Sequence, residues 1–235
     1  MNLYLDIETI QTDRDEVREF IAASITHPGN ISKPETIAKW NEESRPAAVE
    51  EAVARTGLDG SFGRVCVIGW AINDEGVTTA LSPDNEAYVL GEFARIISQS
   101  IPPNERHTTT VIGHNVAAFD LRFLMQRFIV NGIKPPMVIA RAAQAKPWES
   151  EKVFDTMVQW CGVGSKASLD KLCLALSLPS PKGEMDGSMV NQYVKDGRIE
   201  EVARYCERDV EAARAVHKRM TFATVPAKQL EDVPA

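Results

Sequence analysis

The first apolar run of the chain, Leu3 to Thr9, carries two carboxylates at alternate positions, Asp6 and Glu8, among Leu3, Leu5 and Ile7. Aspartate and glutamate are depleted in strands, so a pair on one face needs compensation, which the wet face of an edge strand would supply. Asp120 follows the apolar segment Val111-Ile112-Gly113 and the pair His114-Asn115, and opens a helical stripe through Phe123, Leu124 and Phe128. A carboxylate in a first helical turn gains about 0.3–1 kcal/mol from the helix dipole, and Asn115 can form the turn or the cap. The last helix is more informative. At about 100° per residue, Ile199, Val202, Cys206, Val210, Ala213 and Val216 fall on one apolar stripe, opposite Arg204, Glu207, Arg208, Glu211 and Arg214. Tyr205 and Asp209, four residues apart, project as neighbours at the margin of that stripe. An ionised carboxylate there requires a cation, a basic partner or strong hydrogen bonds.

These residues need elements to hold them. Leu3 to Thr9 reads as a strand whose alternation puts Leu3, Leu5 and Ile7 on one side and Tyr4, Asp6 and Glu8 on the other. Arg64 to Ile72 and Gly76 to Leu81, joined by Asn73-Asp74-Glu75, read as a hairpin that pairs with it. Between them, Asp15 to Ile25, Pro34 to Trp40 and Ala47 to Arg55 have helical spacing, with Ser32 and Glu35 placed as a capping box. The spaced apolar residues Phe20, Ile21, Ile25, Ile37, Trp40, Val49 and Val53 make this a helical cover rather than a linker. Further on come a helix after Asn85, a strand at Thr109 to Gly113, the helix containing Asp120, a polar loop over 141–151, a short strand at Lys152 to Asp155, and a helix capped by Ser168. Pro179 to Gly187 reads as a loop, and the final helix runs from Ile199 to Met220. The pattern predicts an α/β fold: a mixed β-sheet, its first three strands antiparallel and the later ones parallel, flanked by helices.

The 235 residues suit a single domain over 1–222 with the helical insertion at 11–63, followed by a mobile tail at 223–235 that lacks periodicity. A hydrophobic fraction of 44% and a charged fraction of 25% exclude disordered and fibrous classes. With 33 acidic against 26 basic residues the net charge is -7, so there is no global attraction to phosphate backbones and any nucleic-acid contact must be local. Cys66, Cys161, Cys173 and Cys206 are widely spaced in apolar stretches and read as reduced core residues. Neither a secretion signal nor a membrane span is indicated, which makes the cytoplasm the default expectation and a membrane partner an unneeded one.

Taken in order, D-I-E at 6–8, H-N-V-A-A-F-D at 114–120 and Y-C-E-R-D at 205–209 resemble the three motifs of the DEDD superfamily of 3′-to-5′ exonucleases, which have a ribonuclease H-like fold. Tyr205, four residues before Asp209, is similar to the tyrosine branch. The histidine branch would place its base where this sequence has Arg204. The context is also similar to the proofreading exonuclease domains of family B DNA polymerases and their stand-alone relatives. The resemblance implies that Asp6, Glu8, Asp120 and Asp209 hold two divalent cations, Mg²⁺ or Mn²⁺, and that Tyr205 orients the attacking water. Hard cations take oxygen ligands, which suits an all-carboxylate set.

The partner so implied is a single-stranded nucleic acid with a free 3′ end, DNA favoured and RNA possible. Asn115, Phe119, Thr9 and Lys182 are the candidate substrate contacts, although Asn115 can equally be a turn residue and Lys182 a surface charge. Trp40, Trp148 and Phe119 are candidate stacking platforms for terminal bases. His114 reads as a structural hydrogen-bonding residue, and Asp155, before a helix, as an N-cap outside the metal set. Two other functions share these features: a catalytically idle nucleic-acid-binding protein that keeps the fold, and another ribonuclease H-like enzyme such as an endonuclease or integrase. Loss of a carboxylate would favour the first, and cleavage of a circular or 3′-blocked strand the second.

Overall fold

The structure is a computed structural model that describes residues 1–146, 148–183 and 185–223. Apart from its first residue, the expected tail at 223–235 lies outside the described residues. Among the described residues, five strands form one sheet: β1 (Asn2–Ile10), β2 (Arg64–Ile72), β3 (Thr78–Leu81), β4 (Thr110–Gly113) and β5 (Val153–Asp155), in the order β3-β2-β1-β4-β5. β2 and β3 are antiparallel, with Ile68 opposite Ala80, and the turn between them is set by Asn73 at φ 50. β1 runs against β2, since Asn73 donates its N–H to the Asn2 carbonyl at one end while the Cys66 thiol meets the Glu8 carbonyl at the other. β1 and β4 are parallel with Leu3 opposite Val111, and β4 and β5 are parallel with Gly113 opposite Asp155. The expected mixed sheet is present, and β1 is its central strand.

That central position decides the alternation within β1. Leu3, Leu5 and Ile7 enter the main core with Leu90 and Phe93 of α4 (Glu86–Ser100) and Leu121, Leu124 and Phe128 of α5 (Asp120–Val130). On the other face Tyr4 is buried with Ala71, Ile112 and Val210, the last from α10 (Ile199–Met220). Every residue of the predicted α10 stripe, from Ile199 to Val216, is buried. Gly69 permits this packing: a Cβ there would lie 2.8 Å from the Cys206 sulfur and 3.3 Å from Val210 Cγ2. Asp6 and Glu8 therefore point from a central strand toward a packed helix, and the wet edge-strand alternative is not realised.

The chain divides into two compact units, Thr9–Arg64 being one and Met1–Glu8 with the chain from Val65 onward the other. The smaller unit contains α1 (Asp15–Ser24), α2 (Pro34–Glu43) and α3 (Arg45–Arg55), and has its own buried cluster of Val17, Ile21, Val49 and Val53. The expected capping box at Ser32 does not form. Helix α2 starts after Lys33 with no side-chain cap, because Pro34 occupies the first helical position with its φ preset and no N–H to satisfy. In the larger unit, α6 (Met137–Ala142) takes the start of the segment read as loop, and α9 (Val190–Lys195) lies between the loop and the last helix. The remaining helices are α7 (Thr156–Cys161) and α8 (Leu169–Ala175), capped by Asp155 and Ser168 as their sequences indicate.

Candidate active site

The carboxylates of Asp6 and Glu8 emerge from β1 on the α10 side, and Asp120 reaches them from the first residue of α5. Its Oδ1 accepts the Ile7 N–H at 3.1 Å. Asp209 comes from the third turn of α10. Glu8, Asp120 and Asp209 each raise the Asp6 pKa, Asp209 and Asp120 raise that of Glu8, and Asp209 raises that of Asp120, which sets the four groups within electrostatic reach. Glu8 is 7% and Asp120 3% exposed. One oxygen of Asp6, Oδ2, is enclosed and has no hydrogen-bond partner among the described residues.

Burial is the main cause of the pKa changes, and at Asp6 and Glu8 like-charge crowding is the next. Asp6 is held well above the ordinary carboxylate range by burial, then by Asp120, Glu8 and Asp209. Glu8 is raised in the same way by burial, Asp209 and Asp120. Asp120 is pushed up to about 7 by burial, against the opposing effect of its own and Ile7's backbone N–H groups. Asp209 rises to about 6, restrained by the Tyr205 hydroxyl, which donates a hydrogen bond to it, and by Arg208. Burial and then Asp209, Glu8 and Asp6 push the Tyr205 phenol far above its usual value, so it keeps its proton at neutral pH.

This donor set fits divalent cations. A buried group of mutually repelling carboxylates with an enclosed, unpartnered oxygen requires positive charge, and oxygen donors match hard cations. The ligand atoms of Asp6, Glu8 and Cys206 lie within 4.8 Å of one another. Cys206 is nevertheless not a suitable ligand. Its thiol lies 3.5 Å from the Asp6 carbonyl in a hydrogen bond, and burial beside Asp6 and Glu8 raises its pKa strongly, so it remains protonated. Cys66 makes the matching contact, 3.4 Å to the Glu8 carbonyl. Two thiols thus fix the backbone behind the two strand carboxylates, a role that reading them as core residues did not reveal.

Asp155 does more than cap α7. Its Oδ1 accepts from Met157 N and Val158 N at 3.0 and 3.3 Å and from Asn115 N at 3.0 Å, while Oδ2 accepts from Ala117 N at 3.0 Å. The loop leading to Asp120 is thereby clamped from the neighbouring strand, and Asn115 is held at φ 61. His114 is structural as expected, with Nδ1 2.9 Å from the Thr156 hydroxyl and Nε2 2.8 Å from the Ala167 carbonyl. Burial lowers its pKa.

The candidate substrate contacts separate into two groups. Asn115 lines an open cavity of about 510 Å³ together with Arg122, Lys146 and Lys166. The other three are already engaged. The Thr9 hydroxyl donates to the Gly57 carbonyl at 2.6 Å, Phe119 packs on Phe123 with ring centroids 5.6 Å apart, and Lys182 pairs with Asp170 at 3.1 Å. Trp40 is half-buried on α2, whereas Trp148 is exposed beside Lys146.

No curated protein matches the chain. Among solved structures it is similar to the family B DNA polymerase from the hyperthermophilic archaeon Pyrobaculum calidifontis, with a TM-score of 0.58 and 14% identity. The match covers 94% of this chain but only 24% of the polymerase, so this chain spans about a quarter of that protein's length. The likeness bears on fold, and it agrees with the ribonuclease H-like arrangement of the mixed sheet and its helices. Residues 60–229 match the model of a family described as predicted 3′-5′ exonucleases related to the exonuclease domain of PolB. That span contains Asp120, Tyr205 and Asp209, while Asp6 and Glu8 precede it on the strand that completes the cluster. Exonuclease domains of this kind use divalent metal ions and act on nucleic acid, and the chain belongs to this family of predicted 3′-5′ exonucleases related to the PolB exonuclease domain.

Proposed function

We propose that the protein is a 3′-to-5′ exonuclease of the tyrosine branch that uses two divalent cations to hydrolyse single-stranded DNA from its 3′ end, releasing 5′-mononucleotides. The observation that carries this reading is the enclosed, unpartnered Asp6 Oδ2 on a carboxylate whose pKa is raised by burial and then by Asp120, Glu8 and Asp209. Asp6, Glu8, Asp120 and Asp209 hold the cations, Mg²⁺ or Mn²⁺. When bound, these supply Lewis-acid polarisation of the phosphate and stabilise charge on the attacking and leaving oxygens. Tyr205, protonated and tied to Asp209, orients the attacking water rather than taking its proton. Asn115, fixed by the Asp155 clamp on the loop that leads to Asp120, contacts the substrate.

The test is digestion of 5′-labelled single-stranded DNA, with RNA in parallel, in Mg²⁺ or Mn²⁺. A stepwise ladder from the 3′ end is expected, abolished by Asp6→Ala and lowered about 100- to 1,000-fold by Tyr205→Phe, the range for loss of one positioned donor. Digestion that ignores a chelator or survives Asp6→Ala would sink the assignment. A ladder on RNA alone would move the substrate to RNA while keeping the site.

A further inference from the structure

We propose that the cavity beside Asn115 is a second nucleic-acid subsite, which holds the strand about two nucleotides or more upstream of its 3′ end by phosphate pairing and base stacking. This rests on the exonuclease reading for the direction of the strand, but the binding it predicts is independent of catalysis.

The cavity, about 510 Å³, has a largely apolar wall that includes Val153, Met157 and Val158, and it is bordered by Arg122, Lys146 and Lys166. All three cationic side chains are exposed, and Glu149, within electrostatic reach of Lys146, accepts the Lys146 backbone N–H at 2.9 Å and pairs its other oxygen with Lys152. The one carboxylate in the wall, Asp155, is turned inward and accepts four backbone N–H groups. In a chain of net charge -7, these three cations outnumber the two carboxylates beside them, Asp155 and Glu149, and Glu149 is shared with Lys152, so the patch is locally positive. Two large apolar side chains stand beside them in solvent: Trp148, 74% exposed with the Lys146 ammonium 5.4 Å from its ring centroid, and Val163, 71% exposed and part of the wall.

Basic side chains tracking a backbone with an exposed aromatic for stacking is the arrangement that binds single strands without regard to sequence. Placement agrees with this chemistry. Asn115 follows β4 and Asp155 ends β5, so the cavity lies at the C-terminal ends of the parallel strands, the edge where open α/β sheets bind ligands. β5 is two strands from β1, roughly 10 Å, which is on the order of two or more nucleotides from the acidic cluster.

The test measures binding of a 5′-fluorescein-labelled dT 12-mer by anisotropy in a chelator, so that no strand is consumed, with digestion in Mg²⁺ or Mn²⁺ measured separately. For the Lys146→Glu/Lys166→Glu variant we expect affinity to fall at least tenfold and the salt slope to drop by about 1.4, the loss of two single-strand phosphate contacts. Trp148→Ala should weaken binding about tenfold while Trp148→Phe, which keeps a stacking face, stays near wild type. In digestion, the Lys146→Glu/Lys166→Glu variant should raise KM for the 12-mer and leave kcat, and hydrolysis of the thymidine 5′-phosphate p-nitrophenyl ester, unchanged. Unchanged 12-mer affinity in both the charge-reversal and Trp148→Ala variants overturns the proposal, as does failure of the wild type to bind the 12-mer. If the variants weaken binding as stated but the wild type digests no 3′ end, the subsite stands and the exonuclease reading falls.

Discussion

At the residue scale, the site is defined by charge that the protein does not neutralise. Asp209 illustrates the consequence. Its folded pKa, about 6, lies above its unfolded value, so the stability tied to its protonated form is present at low pH and is lost as pH rises through 6. Asp209→Asn should therefore stabilise the metal-free protein by about 1–3 kcal/mol at pH 8 and by almost nothing at pH 4, read as a difference in thermal midpoint at the two pH values. A constant difference between the two would contradict the account in which burial holds the Asp209 pKa up. The same substitution should remove most of the stabilisation that Mg²⁺ or Mn²⁺ gives the wild type, since a ligand that binds only the folded state stabilises in proportion to its occupancy. Asp209 was legible in the sequence because a carboxylate at the margin of a six-residue apolar stripe violates the helical pattern. The thiol contacts of Cys66 and Cys206 and the Asp155 clamp on Asn115 were not legible, because each joins residues far apart in the chain and leaves no local periodicity.

At the scale of elements, the site depends on how closely α10 approaches the sheet. Gly69 on β2 leaves the space that Cys206 and Val210 occupy, and a methyl group there must displace the helix carrying Tyr205 and Asp209. Gly69→Ala should cost about 1–3 kcal/mol in denaturant unfolding and lower nuclease turnover at temperatures where the variant remains folded. Full activity with unchanged stability would mean that α10 is not positioned by this contact. The long elements were readable from their patterns: β1 by alternation, α10 by its stripe, and the β2–β3 hairpin by its polar turn. α6 and α9, each six residues long, span fewer than two helical turns and show no period distinguishable from a loop. The start of α2 at Pro34 was legible too, and only the Ser32 cap failed, since Pro34 at the first helical position puts Lys33 at the N-cap.

At the scale of the molecule, a buried ion pair ties the core to the acidic site. Glu86, at the start of α4, accepts from Arg127 Nε and Nη2 at 2.9 and 2.7 Å, from Val65 N at 2.7 Å and from Asn131 Nδ2 at 2.9 Å. Arg127 lies on the helix that opens with Asp120, so the pair fixes α5 against α4 and β2. Arg127→Met, which strands the Glu86 carboxylate, should destabilise the fold by about 3–5 kcal/mol, and Glu86→Gln/Arg127→Met by less than Arg127→Met alone, in denaturant titrations. Equal losses would show that the pair contributes packing rather than charge compensation. Among the described residues no helix is long and apolar enough to cross a membrane, and the negative net charge leaves nucleic-acid attraction to local patches. The central claim concerns the 3′ end and the carboxylates together. It is tested most directly by single-turnover digestion of a strand labelled in its 3′-terminal nucleotide. The label should appear first as a free 5′-mononucleotide, only with Mg²⁺ or Mn²⁺, and not at all with Asp6→Ala. Label released first within an oligonucleotide, or released equally by Asp6→Ala, would contradict the account.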